Sequence, residues 1–289
     1  MIRRKRMPTV SVPGMIGCAA IIASLEIDRE QRRQRVDLAP FGDAMCEVVE
    51  DTRPEVVSFH FGLPAPALLA RVKAAGCKVI SSATTVEEAR WLEQCGVDAV
   101  IAQGHEAGGH QGMFLDRNRN RAVALQIGTM ALVPQIADAV SVPVIAAGGI
   151  ADGRGIAAAF ALGASGAQIG TGFLLCPEAA TPALHRDAVR HAHEHETVVT
   201  NVFSGRPARA LVNRLACEIG FLADAVPDFP LPLGELAPLR AAAEQKGSRD
   251  FTPLWSGQAA ALSREMPAAM LMQITVKETL ERLHRLRCN

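Results

Sequence analysis

Five short apolar runs, alternating with helix-like segments, constrain this chain more than any other feature. Val56-Val57-Ser58-Phe59-His60-Phe61 closes on Gly62-Leu63-Pro64. Lys78-Val79-Ile80-Ser81-Ser82 follows, then residues 98–102, Val142 to Ala147, and Ala167-Gln168-Ile169-Gly170-Thr171-Gly172. Residues 66–75, 86–95, 130–140 and 155–162 carry helix signals between them. Gly76, Gly96 and Gly163 stop three of these helices, and Thr85 with Glu88 three residues on forms a capping-box pair. Strands alternating with helices read as βα units, which pair in parallel and bind ligands where the strands' carboxyl ends open into loops. The expected fold class is therefore α/β, of the (β/α)8 TIM-barrel type, incomplete because only five βα units are visible.

The rest of the chain is less regular. Residues 1–40 form an atypical amino-terminal arm, in which Arg3-Arg4-Lys5-Arg6 precede a mildly apolar stretch superficially like an export signal. Pro13-Gly14 interrupts that stretch, which argues against export. Residues 41–175 are expected to be the partial barrel and 176–289 a helical cap. Within the cap, residues 185–196 and 210–219 read as helices, 204–209 as a turn, 227–238 as a proline-rich connector, and 267–286 as a final helix. Thirty basic residues balance thirty acidic ones, which removes any electrostatic reason to expect nucleic acid. No apolar run reaches the roughly 18 residues of a membrane-spanning helix. Seven scattered cysteines without a C-x-x-C pair suit free thiols in a reducing cytoplasm.

Chemistry concentrates in the loop after the third strand, Ala102-Gln103-Gly104-His105-Glu106-Ala107-Gly108-Gly109-His110-Gln111-Gly112. Its glycines let main chain approach a flat ligand while His110 points an imidazole into the same space, where it can take a proton near neutral pH. His105 and His110 are five apart with two glycines between them, which opposes a zinc-binding helix. Glu106 reads instead as an acceptor that fixes the loop. His191, His193 and His195 read as part of a solvated helix, and no metal is expected. Gly148-Gly149 and Gly170-Thr171 end the last two strands, where barrel enzymes often seat a phosphate on backbone amides. No G-x-G-x-x-G or Walker loop is present, so a dinucleotide-binding fold is disfavoured.

These motifs, in this order, resemble the nitronate monooxygenase family. The match runs through residues 56–64, 102–112, 146–171, 204–209 and Ser256-Gly257-Gln258. The resemblance implies a (β/α)8 barrel holding FMN non-covalently, with a helical region over the strand ends. Carried over, His110 is the catalytic base. Gln103 and Gly108 contact the flavin, and Ala147, Gly148, Gly149, Gln168, Gly170 and Thr171 hold its ring and phosphate. The reaction implied is oxidation of alkyl nitronates, or of nitroalkanes after loss of the α-proton, by molecular oxygen. A homodimer is compatible with this reading.

The family opens with three more strands, among them one bearing Pro-Met and one bearing Asn, and residues 1–40 contain neither, so the chain reads as an amino-terminally shortened member. Two rival readings remain. One is a related FMN- and NADPH-dependent enoyl-acyl-carrier-protein reductase, which shares the glycine-histidine loop. The other is a catalytically silent truncated homologue.

Overall fold

The computed structural model describes residues 38–116 and 118–288. The expectations for an export-like segment and an amino-terminal arm fall almost wholly outside the described residues. The chain enters through helix α1, Asp43–Thr52, and then alternates regularly. Strand β1 is Val56–Phe59, α2 Pro66–Ala74, β2 Lys78–Ala83, α3 Val86–Gln94 and β3 Ala99–Gln103. After a long connection come α5, Thr129–Ala137, β5, Val144–Ala147, α6, Gly153–Ala161, and β6, Gly166–Gln168.

These five strands form one parallel sheet in the order β1-β2-β3-β5-β6. Every strand joins beside its predecessor in the sheet, so right-handed crossovers all wind the same way, as in a TIM-type barrel rather than a doubly wound sheet. The fold is thus α/β with the expected parallel sheet, and the described residues do not close it into a barrel. The core lies between strands and helices: Val79, Val100, Ala102 and Ala146 meet Val72, Leu92, Leu132 and Ile136 at near-zero exposure. Strand β3 is buried at every position, as a central strand covered on both faces must be.

A second, antiparallel sheet has the order β4-β8-β7. It joins β4, Gly109–His110, to β8, Ala208–Leu211, and β7, Thr197–Thr200. Ala208–Leu211 is a strand, not turn and helix, and the helix that follows, α8, spans only Arg214–Ile219. All four β8 residues are buried, which erases the alternation that identifies a strand. Asn213 sets the true helix start by accepting a hydrogen bond from the amide of Ala216.

Three other segments differ from expectation. The helix expected over residues 185–196 is α7, Ala183–Arg190, because the Glu196 carboxylate captures the amide of His193 and turns the chain into β7. The proline-rich connector is largely helix α9, Leu231–Gln245, with Pro232 in the first turn, where no amide is needed. The long connection before α5 contains α4, Arg119–Ala124, capped by Asn118. No helix among the described residues is long and apolar enough to cross a membrane.

The last helix, α10, spans Ala268–Cys288 and packs along α6. Gly153 permits this contact: a Cβ there would lie 2.4 Å from Glu278 Cβ and 2.5 Å from the amide nitrogen of Thr279. The Glu278 carboxylate accepts from the Gly153 amide at 3.2 Å and from Arg264 at 2.7 Å. Gly153→Ala is therefore expected to force α10 off α6 and lower the unfolding free energy by about 1–3 kcal/mol. Denaturant unfolding checks this, and a midpoint equal to the wild type's would contradict the packing.

Candidate active site

The glycine-histidine loop is stitched between the two sheets. On the parallel side the Gly104 amide donates to Ala147 O at 2.9 Å, and the Gln103 side chain brackets His110. Its Nε2 donates to His110 O at 3.1 Å while its Oε1 accepts from the Gly112 amide at 2.6 Å. On the antiparallel side Gly109 pairs with Arg209 and His110 with Ala208. Arg209 is buried, donates from Nε to His105 O at 3.0 Å, and is pulled down to about 10 by burial, against the opposing charge of Glu106.

Glu106 fixes the loop as its position suggests. Its carboxylate accepts from the amide and hydroxyl of Thr129, each at 2.8 Å, and its carbonyl accepts from Gln258. Glu88, which is buried, holds the loop's exit by accepting from the amides of Phe114 and Leu115 and from Thr84. Gly108 is a close-approach position: a Cβ there would lie 2.4 Å from the Gly257 amide nitrogen. His105 meets the Gln126 side chain, and His191 meets Asp187.

His110 itself sits among rings. Trp255, Phe61 and Phe229 lie 5.3, 5.8 and 5.9 Å from it between ring centroids. Its Nε2 is 2.8 Å from Ser204 Oγ. Burial is the main cause that lowers its pKa to about 4, and the neighbouring His60 and Arg206 add to the shift. The imidazole is thus neutral at neutral pH. His60 is pushed down too, chiefly by burial. With Nε2–H donating to His110 O at 3.1 Å, its Nδ1 accepts from Ser82 Oγ at 3.1 Å.

The remaining residues singled out by sequence gather at the same end of the sheet. Gln103 pairs in register with Ala147, and Ala147 with Gln168. Gly148 and Gly149 turn the chain out of β5 at φ 111° and 69°. Thr171 stands in a short 3-10 turn and accepts from the Gly257 amide at 2.9 Å, which links this end of the sheet to Gly108. The Gln103 side chain is engaged with the loop on both sides of His110, and Gly108 lies close against Ser256 and Gly257. Ser204, Arg206, Phe229 and Trp255 were not assigned roles from sequence. Ser204 and Arg206 stand in a motif that carries the family resemblance, whereas Phe229 lies in a proline-rich stretch with no signal of its own.

The donor set here fits a flavin phosphate. Among the described residues the amides of Gly149, Gly170 and Thr171 meet no protein acceptor. Thr171 keeps its hydroxyl proton to donate, and nothing lies within 4 Å of where a Cβ on Gly170 would stand. The buried Ser256 hydroxyl, one residue from Gly257, is likewise without a partner among the described residues.

Comparison with known proteins gives a consistent result. A family model described as nitronate monooxygenase matches residues 26–278, and so begins inside the segment set apart as the amino-terminal arm. A nitronate monooxygenase of Pseudomonas aeruginosa is 45% identical over 229 residues, covering 79% of this chain and 64% of its own, so the chain spans less than two thirds of that relative. The nitroalkane oxidase structure from Streptomyces ansochromogenes superposes with a TM-score of 0.85 at 38% identity, covering 97% of this chain and 80% of that one. FabK from Thermotoga maritima is more distant, with a TM-score of 0.67 at 32% identity over 87% of this chain and 76% of its own.

The lowered pKa of His110 has a consequence for stability. The unfolded state binds a proton near pH 6.5 and the folded state only near 4, so stability is fully present above about 6.5 and is lost as pH falls toward 4. The unfolding midpoint is expected to fall between pH 7 and 5, and to fall less in His110→Asn. An identical pH dependence in the two proteins would contradict the burial of a neutral imidazole.

Proposed function

The chain belongs to the nitronate monooxygenase family, and on that premise we propose that it oxidises alkyl nitronates with molecular oxygen, using FMN. The observation that carries this reading is a half-buried, neutral imidazole, walled by Phe61, Phe229 and Trp255, on a loop that packs at Gly104 to Ala107 against glycine turns with free amides. Gly148, Gly149, Gly170 and Thr171 would hold the phosphate, with Ala147 and Gln168 beside the ring. Gln103 and Gly108 would shape the wall that faces it. Bound there, a flavin would supply the electron acceptor for nitronate oxidation and a route for those electrons to oxygen.

The chain's own residues handle orientation and the proton. Ser204 ties one ring nitrogen of His110 and so sets the tautomer. With Nε2–H donated to Ser204 Oγ, the lone pair on Nδ1 is left to take the α-proton of a neutral nitroalkane. Because His110 resists protonation until about pH 4, its basic form persists across the neutral range. The aromatic walls exclude water from this proton transfer, and a pre-formed nitronate needs no base.

These roles separate in kinetics. His110→Asn is expected to lower oxygen consumption with nitroethane by about 10²–10⁴-fold. Turnover of ethyl nitronate is expected to stay within about tenfold of wild type, with FMN retained. Undiminished nitroethane turnover would remove His110 from the role of base.

A further inference from the structure

Among the described residues, Arg206 stands in the site with aromatic rings but no carboxylate against its charge. Its guanidinium carbon is 3.8 Å from the centroid of the Phe61 ring and 5.8 Å from that of Phe229, the rings that flank His110. Among the described residues the guanidinium meets no carboxylate and no other hydrogen-bond acceptor. Asp228, adjacent to Phe229, is paired instead with Arg119 at 3.4 Å. Half-burying a guanidinium forfeits hydration that a ring face restores only in part, so unused donors in such a place call for an anion.

The placement is built into the backbone. Gly205 has φ 81°, and a Cβ there would lie 2.4 Å from Pro227 O and 2.5 Å from the Phe229 amide nitrogen. The turn carrying Arg206 is thereby pressed against the segment carrying Phe229. Phe61 adopts φ 66°, a left-handed conformation that is costly for a bulky side chain. The buried Ser81 hydroxyl holds the next residue, donating to Gly62 O at 2.9 Å. A strained aromatic thus packs against both the guanidinium and the imidazole.

We propose that Arg206 anchors the substrate's negative charge, its planar fork pairing with the two oxygens of the nitro group. The proposal rests on the nitronate reading and adds a specificity determinant to it: the site selects planar, two-oxygen anions, or groups that become so. As the α-carbon's C–H bond breaks, its proton passes to His110 and its electron pair forms the C=N bond. The displaced N=O pair settles on oxygen, beside Arg206. Charge developing there is stabilised by a donor already in place, which suits a base of low proton affinity.

The test compares wild type, Arg206→Met and Arg206→Lys, each checked for an unaltered melting transition. With ethyl nitronate, Arg206→Met is expected to raise KM roughly tenfold or more, and with nitroethane to lower kcat by a similar factor. Arg206→Lys recovers part of both losses, since it keeps the charge without the fork. Nitrate ion, titrated calorimetrically in the absence of substrate, is expected to bind wild type and not Arg206→Met. Kinetics within twofold of wild type, or nitrate binding unchanged in Arg206→Met, would overturn the proposal. A wild type inactive on both substrates would defeat the nitronate reading alone, and the nitrate titration would still decide the role of Arg206.

Discussion

The amide of Gln103 is the joint on which the site depends. At the carboxyl end of β3 it donates to the carbonyl of His110 and accepts from the amide of Gly112, so one side chain grips the loop on both sides of the imidazole. The His60 ring donates to the same carbonyl and fills its remaining lone pair. Gln103 is buried, and stripping either contact would leave an unpaired polar group costing about 1–3 kcal/mol. The same loop is gripped from the other sheet by the β4–β8 pairing and by Arg209. His110 is therefore carried on a flexible glycine sequence yet held by two rigid elements, as a precise catalytic group requires.

The electrostatics follow from that position. Burial removes solvent from His110, and the Arg206 guanidinium adds positive potential nearby, so both effects favour the neutral imidazole. Neighbouring residues contribute rings and hydroxyls, while the buried Glu88 and the half-buried Glu106 are spent on backbone amides and hydroxyls of the loop. A neutral base beside a positive charge is poorly suited to binding cations and well suited to a substrate that is, or becomes, an anion.

Much of this was legible in the sequence, for identifiable reasons. Central strands such as β3 announce themselves as unbroken apolar runs, and glycines at the ends of β5 and of the helices mark turns. Glu106 was readable as a loop-fixing acceptor because glycines on either side leave it no helix to join. Strand β8 was not legible, since Ala208, Arg209, Ala210 and Leu211 are all buried and the Arg209 guanidinium donates to the His105 carbonyl and to the carbonyl and hydroxyl of Thr197. Nor could local pattern place Ser204 or Trp255 beside His110, because those contacts span about a hundred residues or more and arise only when the second sheet pairs with the loop. Pro232 and Pro238 pointed away from helix α9, whose formation rests on the first turn tolerating proline and on burial of Leu239 and Ala243.

The most direct measurement is anaerobic mixing of the FMN-loaded protein with ethyl nitronate and, separately, with NADPH, following flavin absorbance. The account predicts fast bleaching by the nitronate and little or none by NADPH. Bleaching by NADPH alone would contradict it and move the chain to a nicotinamide-dependent chemistry.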